Sequence, residues 1–438
     1  MRVLHIITGL GIGGAEQQLR LLLSRLPTES EVITLTNPGP VAEGIVADGV
    51  PVTDLAMTGN KDLGALPRLT KLVKQGRYDL VHTHLYRACL YGRFAARLAG
   101  VRTIVATEHS LGAVQIEGRQ LSTGARALYL AGERLGTATV AVSATVARRL
   151  ERWGVRHDRI HIVPNGIDVG RFGYDESARR AARSRLGLPQ DAFVVGGVGR
   201  LTPSKRFDTL VRAVTELPGA RLLLVGDGPE RERLRRLARR RGAAHRILLH
   251  GACEDPPRVL PGSPGGDFEG SSEKPLTGPS TGQRTGQRTG SSTGPSTGPS
   301  TAPSIGPSDG SPDGSPGRPH LGSDLPSLLA AMDVFVSTSY DEAFGLAVVE
   351  ALAAGLPVLH VTCPALHDLP ATDAPGARQI SGSVPELVAE LRRFEETGPR
   401  RLPVPRAARH YDISHSAEQL MTVYGHAVRG TAPTREVS

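Results

Sequence analysis

VLHIITGLGIGGAE, residues 3–16, decides how this chain is read. The mostly apolar run over Arg2–Thr8 predicts a strand buried on both faces. Glycines at 9, 11, 13 and 14 then make a tight turn, and Gln17–Leu26 carries helical spacing. Strand, glycine turn and helix in that order are the start of a parallel α/β unit. The same stretch does not read as a secretory signal, because its apolar core is short, glycine-interrupted and followed by no small-residue cleavage site. Nor does it read as a dinucleotide fingerprint. That site needs an acid at the end of the second strand for the ribose, and here the second strand ends Thr34-Leu35-Thr36-Asn37. No Gly-Lys-Ser/Thr follows a glycine-rich loop, which excludes a P-loop. The turn is left either as a phosphate-approaching loop or as plain strand-to-helix geometry.

Moving outward, the unit repeats. Strand candidates follow at 31–36, 80–84, 103–109 and 139–143, and HIVPNGID (161–168) reads as a last strand with an Asn-Gly turn that can redirect the chain. A second series opens at FVVGGVGRL (193–201) and continues at 221–228 and 246–252. It resumes with a helix and strand over 325–339, a helix at 345–355, a strand at 357–362 and a final helix pair near 384–396 and 414–429. The expected domains are 1–170, a linker 171–192, and 193–400, with a C-terminal segment 401–438 whose helix packs back on the first domain ahead of a disordered tail.

The chain has 438 residues, with 52 Gly and 33 Pro. Of the 60 residues from Pro261 to His320, 14 are Gly and 11 are Pro, and tandem repeats such as TGQRTGQRTG (281–290) run through them. Such a block cannot bury enough apolar surface to offset its ordering entropy. It falls between a strand and a helix of the second series, so a disordered insertion is expected at about 258–322, inside the second domain. Lys and Arg number 52 against 43 Asp and Glu, a net charge of +9 carried almost wholly by Arg. No RNP aromatic pattern and no paired Cys/His spacing accompany that charge, so nucleic acid is not an expected partner. Three widely spaced cysteines (Cys89, Cys253, Cys363) suggest a reducing cytoplasm. No apolar run reaches the length of a membrane span.

Three further motifs carry chemistry. Gly199-Arg200-Leu201-x-x-x-Lys205 puts two cations at the C-terminal end of a strand, where α/β sheets bind ligands; Arg can grip a phosphate bidentately and Lys adds a point charge. Gly226-Asp227-Gly228-Pro229-Glu230 ends the next strand in the same way. Glu342-Ala-Phe344-Gly345-Leu346 precedes a helix that holds Glu350 two turns on, among apolar neighbours. A buried Glu there needs a hydrogen-bonding ligand, and a carboxylate can accept from both hydroxyls of a ribose.

Taken together, GGAE (13–16), VHTH (81–84), TEH (107–109), VPNGID (163–168), GRLTPSK (199–205), VGDGPE (225–230) and DEAFGLAVVEALAAGLPV (341–358) resemble glycosyltransferase family 4. The resemblance implies a GT-B fold: two Rossmann-like domains facing a central cleft. It implies retaining transfer of a sugar from a nucleotide-diphosphate sugar to a glycan or lipid-linked acceptor. By that likeness Arg200 and Lys205 hold the donor diphosphate and stabilise the leaving group. Glu350 binds the ribose, Glu342 sits by the donor sugar, and the backbone amides of Phe344, Gly345 and Leu346 face its hydroxyls or phosphate. Gly13, Gly14 and Gly226 let loops approach the donor. His109 matches a family histidine near the transferred sugar, while His82 and His84 are expected to shape the cleft as strand-end residues. No cofactor and no metal are implied; cationic side chains replace the metal. Where the family carries Gly-Gly-x-x-Glu, this chain has HVTCPALHDLPATDAPGARQI (360–380), which leaves donor specificity open. An epimerase of the same fold and a non-catalytic sugar-nucleotide binder are the alternatives. A basic helix at 61–75 reads either as a solvated face or as a peripheral contact with anionic membrane on the cytoplasmic side.

Overall fold

The computed structural model describes residues 1–59, 62, 64–109, 122–253, 324–398 and 400–430, with the backbone of residues 115–116 and 119–120. The insertion expected at about 258–322 lies outside the described residues, and so do residues 431–438, at the end of the segment 401–438 whose tail is expected to be disordered.

The first half forms β1 (Arg2–Ile7), β2 (Glu29–Thr34), β3 (Val52–Asp54), β4 (Leu80–His84), β5 (Ile104–Glu108), a small antiparallel hairpin β6–β7 (Gln115–Ile116, Arg119–Gln120), β8 (Ala138–Ala141) and β9 (Ile160–Ile162). Seven of these make one parallel sheet in the order β3-β2-β1-β4-β5-β8-β9. The second half adds β10 (Phe193–Val198), β11 (Ala220–Val225), β12 (Ile247–Gly251), β13 (Val334–Ser337), β14 (Val358–His360) and β15 (Ala377–Gln379). These form a parallel sheet in the order β12-β11-β10-β13-β14-β15. Helices cover both faces, which is why β4, β5 and β8 are buried throughout, their polar residues His82, Thr83, His84, Thr107, Glu108 and Thr139 included.

Strand order reverses between β1 and β4 in the first sheet and between β10 and β13 in the second. At such a switch point the crossovers leave in opposite directions and open a crevice beyond the carboxyl ends of the strands. The glycine turn, the Arg200–Lys205 loop and the Glu342 loop follow β1, β10 and β13, and His84 is the last residue of β4. Topology alone therefore gathers the sequence motifs at two crevices.

The chain passes between the halves twice, and the two passages pair. Ile167 N donates to Tyr411 O at 2.8 Å and Ile413 N to Ile167 O at 2.9 Å. Gly166 is required here: a Cβ would stand 2.5 Å from Ile413 Cα. The helix Ile413–Arg429 then lies on the first sheet, with Ile413, Leu420, Val423 and Tyr424 packed against Val3, Leu80, Val105 and Val140. Residues 171–192, expected to link the domains, contain a helix, Glu176–Leu186, that packs on the second half. Its Arg183 is fully buried and bonds Asp333 Oδ2 at 2.6 Å and Ala331 O at 2.9 Å; Asp333 Oδ2 also accepts from Val194 N at 2.8 Å. A buried guanidinium survives because every direction it points in is an acceptor.

Candidate functional site

The Arg200–Lys205 loop is set by glycines. Gly226 has φ +138°, and a Cβ there would sit 2.0 Å from Gly199 O. Without a side chain the turn after β11 closes on the loop after β10, through Leu201 N to Asp227 O and Glu230 N to Leu201 O, both 2.9 Å. Thr338 Oγ1, at the end of β13, donates to Lys205 O at 2.6 Å and to Arg206 O at 3.1 Å. The Lys205 side chain then crosses the switch point and pairs with Glu342. Arg200 projects into solvent.

Glu342 is held by its neighbours. Phe344 is 3% exposed and stands edge-on to Tyr411, with ring centroids 4.9 Å apart. Its carbonyl accepts from Ala365 N at 2.9 Å. Gly345 has φ +106°, and a Cβ would lie 2.6 Å from Cys363 Sγ, a thiol that burial pushes up to about 12. Phe344 is thus an anchor for the loop, and what it offers to the cleft is backbone. The helix Leu346–Ala353 starts here, with the unsatisfied amides and positive dipole end that suit an anion.

Glu350 differs from its sequence reading. Its neighbours are not wholly apolar: it lines a small cavity with Leu346, Gln17, Gln18, Gly166 and Arg171. Arg200, Lys205 and Glu342 are not among the walls of that cavity. From the first half, Gly13 precedes the helix Gly14–Leu23 in an extended conformation. A Cβ on Gly14 would be in ordinary contact with Leu346 Cδ1 at 3.4 Å, so the first loop reaches the start of the second-half helix.

Three contacts from Ser143 and the helix Ala144–Trp153 that it caps reach the second half, two of them on the Glu342 loop and one on Asp368 after the helix Pro364–His367. Ser143 Oγ donates to Ala343 O at 2.6 Å, Ala144 N to Asp368 Oδ2 at 2.9 Å, and Arg149 Nη2 to Asp341 Oδ1 at 2.7 Å. Sequence reasoning missed all three. Ser143 is legible as a helix cap, since its Oγ also accepts from Val146 N at 3.2 Å, but no local pattern announces its bond across the cleft. Arg149→Ala releases the loop on one side. We expect kcat/KM to fall between about 3- and 100-fold, because small misplacements at a reacting centre are costly, while the melting temperature falls little. Steady-state kinetics beside thermal melts checks this; unchanged kinetics would remove Arg149 from the site.

The histidines form a cluster. His5 on β1 and His82 on β4 are in register, and His84 shares the face of His82. His5 Nδ1 and His84 Nε2 are hydrogen-bonded at 3.2 Å, as are His84 Nδ1 and His109 Nε2 at 3.2 Å. His82 is bonded by Tyr424 Oη at 2.6 Å and Thr107 Oγ1 at 2.7 Å. His5, His82 and His84 are 0% exposed, and His109 is 8% exposed. Burial lowers all four pKa values: His5 to about 3, His109 to about 4, and His82 and His84 well below the usual imidazole range. Among the described residues, His5, His82 and His84 are the group whose nitrogens lie close enough, within 4.8 Å, for a metal to be considered. Both His82 nitrogens are already engaged, so the geometry is that of a hydrogen-bonded cluster.

Comparison with known proteins settles the lineage. Residues 12–171 match the sequence model for Glycosyltransferase Family 4, and residues 178–262 with 319–410 match that for Glycosyl transferases group 1. The chain belongs to glycosyltransferase family 4. The second match breaks between 262 and 319, which puts the low-complexity insertion inside the second domain of this family 4 chain. It is 37% identical over 235 residues to the D-inositol 3-phosphate glycosyltransferase of Acidothermus cellulolyticus, covering 48% of this chain and 49% of that protein. To the enzyme of the same name from Salinispora arenicola it is 29% identical, covering 82% of this chain and 71% of the other. A UDP-Gal:alpha-D-GlcNAc-diphosphoundecaprenol alpha-1,3-galactosyltransferase of Escherichia coli is 29% identical over 46% of this chain and 54% of its own. The chain thus spans about half the length of the first of these relatives. Anabaena HepE, solved with UDP and glucose, shares the fold with a TM-score of 0.72 at 19% identity, over 97% of this chain and 99% of HepE. The GT-B expectation, two parallel-sheet α/β halves, is what the structure has.

Proposed function

We propose that this family 4 chain transfers a sugar, with retention, from a nucleoside-diphosphate sugar to a glycan or lipid-linked acceptor. The observation that carries this is the Lys205–Glu342 pair at the β10/β13 switch point, beside the start of the helix Leu346–Ala353. A diphosphate entering there meets an ammonium, the Arg200 guanidinium and helix amides, all of them matched to an anion whose charge grows as the glycosidic bond breaks. Glu342, freed from Lys205, is positioned for the donor sugar. Glu350, in its own cavity, is the group for the ribose. Gly13 and Gly14 bring the first loop to the donor, and His109 stands at the end of β5 for the transferred sugar. The acceptor proton needs no protein base in this scheme, since a donor phosphate oxygen can take it; no metal is invoked. The relatives named as glycosyltransferases, and the UDP and glucose bound to HepE, support the reading.

Contact with a bilayer would be electrostatic only. The helix Ala65–Gly76 spends its apolar stripe on the core, through Ala65, Leu69 and Val73 with Leu66 and Leu72 beside them. Arg68 pairs with Asp62, which leaves Lys71 and Lys74 facing water. No helix among the described residues is long and apolar enough to cross a membrane.

Thermal-shift screening against nucleoside diphosphates and nucleotide sugars tests the donor. A ligand at about 100 times its Kd stabilises the native state by about 2.7 kcal/mol, which we expect as a rise of roughly 2–5 °C for one base and sugar. No rise with any of them at millimolar concentration would sink the proposal.

A further inference from the structure

His5, His84 and His109 form an unbranched chain of three imidazoles joined by two nitrogen-to-nitrogen hydrogen bonds. The two terminal nitrogens, His5 Nε2 and His109 Nδ1, have no partner. Neutral rings carry one proton each, so the chain holds three. Two of these lie in the two hydrogen bonds, and the third must sit at one end. Only two arrangements satisfy both bonds. In one, His5 Nδ1–H donates to His84 Nε2, His84 Nδ1–H donates to His109 Nε2, and His109 carries its proton on Nδ1. In the other every bond is reversed, and the spare proton rests on His5 Nε2.

The two ends are not equivalent. His5 sits within β1, two residues from its end, and is 0% exposed. His82, its neighbour in register, has both nitrogens engaged by Tyr424 and Thr107. A proton on His5 Nε2 is therefore a buried donor with no acceptor, an arrangement that folded proteins rarely keep, whereas a bare lone pair there is tolerated better. His109 follows β5, at the carboxyl edge of the sheet where α/β proteins bind ligands; its ring keeps 8% exposure, although Nδ1 itself is covered like His5 Nε2, so it is position at the strand ends and not exposure of that atom that distinguishes this end. A donor at that end can be satisfied by a ligand oxygen.

We propose that His5 and His84 are positioning residues that polarise this chain toward the cleft, fixing His109 as a neutral ring with its proton on Nδ1, presented to a hydroxyl oxygen of the transferred sugar. The ligand part rests on the transferase reading above; the tautomer part does not. His109 is then a hydrogen-bond donor of fixed orientation and not a base. His84, which touches no substrate, acts by holding His109 Nε2 as an acceptor. His5 acts one step further back, by keeping His84 Nε2 occupied so that His84 donates forward.

The test is long-range proton–nitrogen correlation spectroscopy on the full chain labelled with 15N-histidine. His109 is assigned by loss of its signals in His109→Gln. In the unliganded wild type we expect His109 and His5 as Nδ1–H tautomers with the other nitrogen unprotonated. Finding His109 protonated on Nε2 would overturn the proposal whether or not any transferase activity has been measured. In His84→Leu we expect the fixed His109 tautomer to be replaced by averaged nitrogen shifts, and kcat to fall about 10-fold or more with the donor KM unchanged. His84→Gln, whose amide can donate to His109 Nε2, should recover the tautomer and most of kcat. A His84→Leu protein with wild-type shifts and kcat would overturn the positioning role. If that variant fails to fold, His5→Phe gives the same reading one bond further back, and the wild-type spectrum decides the tautomer without any variant.

Discussion

Lys205→Ala and Glu342→Ala are each expected to lower sugar transfer by at least about 100-fold, the range seen when a group aimed at developing charge is removed. The two losses have different causes and should look different in kinetics. On the proposed reading Lys205 supplies positive charge where the diphosphate leaves, and that charge matters most in the transition state, so kcat should fall along with kcat/KM. Its reach is set by the loop. Gly199 lies under its side chain, where a Cβ would stand 3.4 Å from Lys205 Cε, and Thr338 holds its carbonyl. Lys205→Arg therefore puts a broader, planar cation into a path shaped for an ammonium, and we expect it to recover only part of the rate. Glu342→Ala leaves Lys205 without its partner in the unliganded enzyme. On the same reading the diphosphate should then bind as well as before or better, while kcat drops because the sugar loses the contact proposed for Glu342. Steady-state rates on purified variants with unchanged circular dichroism decide the matter; near-wild-type turnover in both would remove the pair from the chemistry.

How far this site is legible follows from where its parts lie along the chain. Arg200, Lys205, Glu342, Gly345 and Gly226 sit at strand ends or helix starts, where residue type and backbone demand coincide. Gly226 has to be glycine because Gly199 O occupies the place of a Cβ. The longer strands are readable to within about three residues because both faces are buried and apolar residues predominate in most of them. Of the three-residue strands, β9 and β14 overlap runs read as strands, but β3 and β15 do not. At that length propensity and periodicity carry too little information, and their pairing with β2 and β14 holds them in place. The contacts across the cleft are also unreadable. Ser143 and Ala343 are 200 residues apart, and Arg149 and Asp341 are 192 apart, so only the closed tertiary structure makes them partners. The surroundings of Glu350 escape the sequence for the same reason: helix periodicity gives a face, but Gln17, Gln18 and Arg171 arrive on that face from elsewhere in the chain. The histidines read singly, as strand ends, because nothing local says that β1, β4 and β5 will lie side by side in an order that brings His5, His84 and His109 into one line.

That burial has a second expected result: the protein should lose stability steeply as the pH falls from 7 toward 5. His5 and His109 have pKa values lowered to about 3 and about 4, and His82 and His84 lie well below the usual imidazole range, all because burial disfavours the charged ring. In the unfolded chain each returns to about 6.5. Below pH 6.5 the unfolded state therefore binds protons that the folded state cannot, and stability falls with pH. The loss runs from 6.5 down to the folded pKa of each ring, at about 1.4 kcal/mol per pH unit per ring. Four such rings remove about 5 kcal/mol between pH 7 and 5.5, against a total of about 5–15 kcal/mol for an ordinary folded protein. His360, lowered to about 4, adds in the same direction. Urea midpoints at half-unit steps from pH 7.5 to 5 measure the slope. His82→Phe, which removes one titrating ring but also its bonds to Tyr424 and Thr107, should be less stable than the wild type at pH 7.5 and lose less on acidification, by about 1.4 kcal/mol per unit. A flat profile between pH 7 and 5.5 would mean that the four rings are not neutral and buried together.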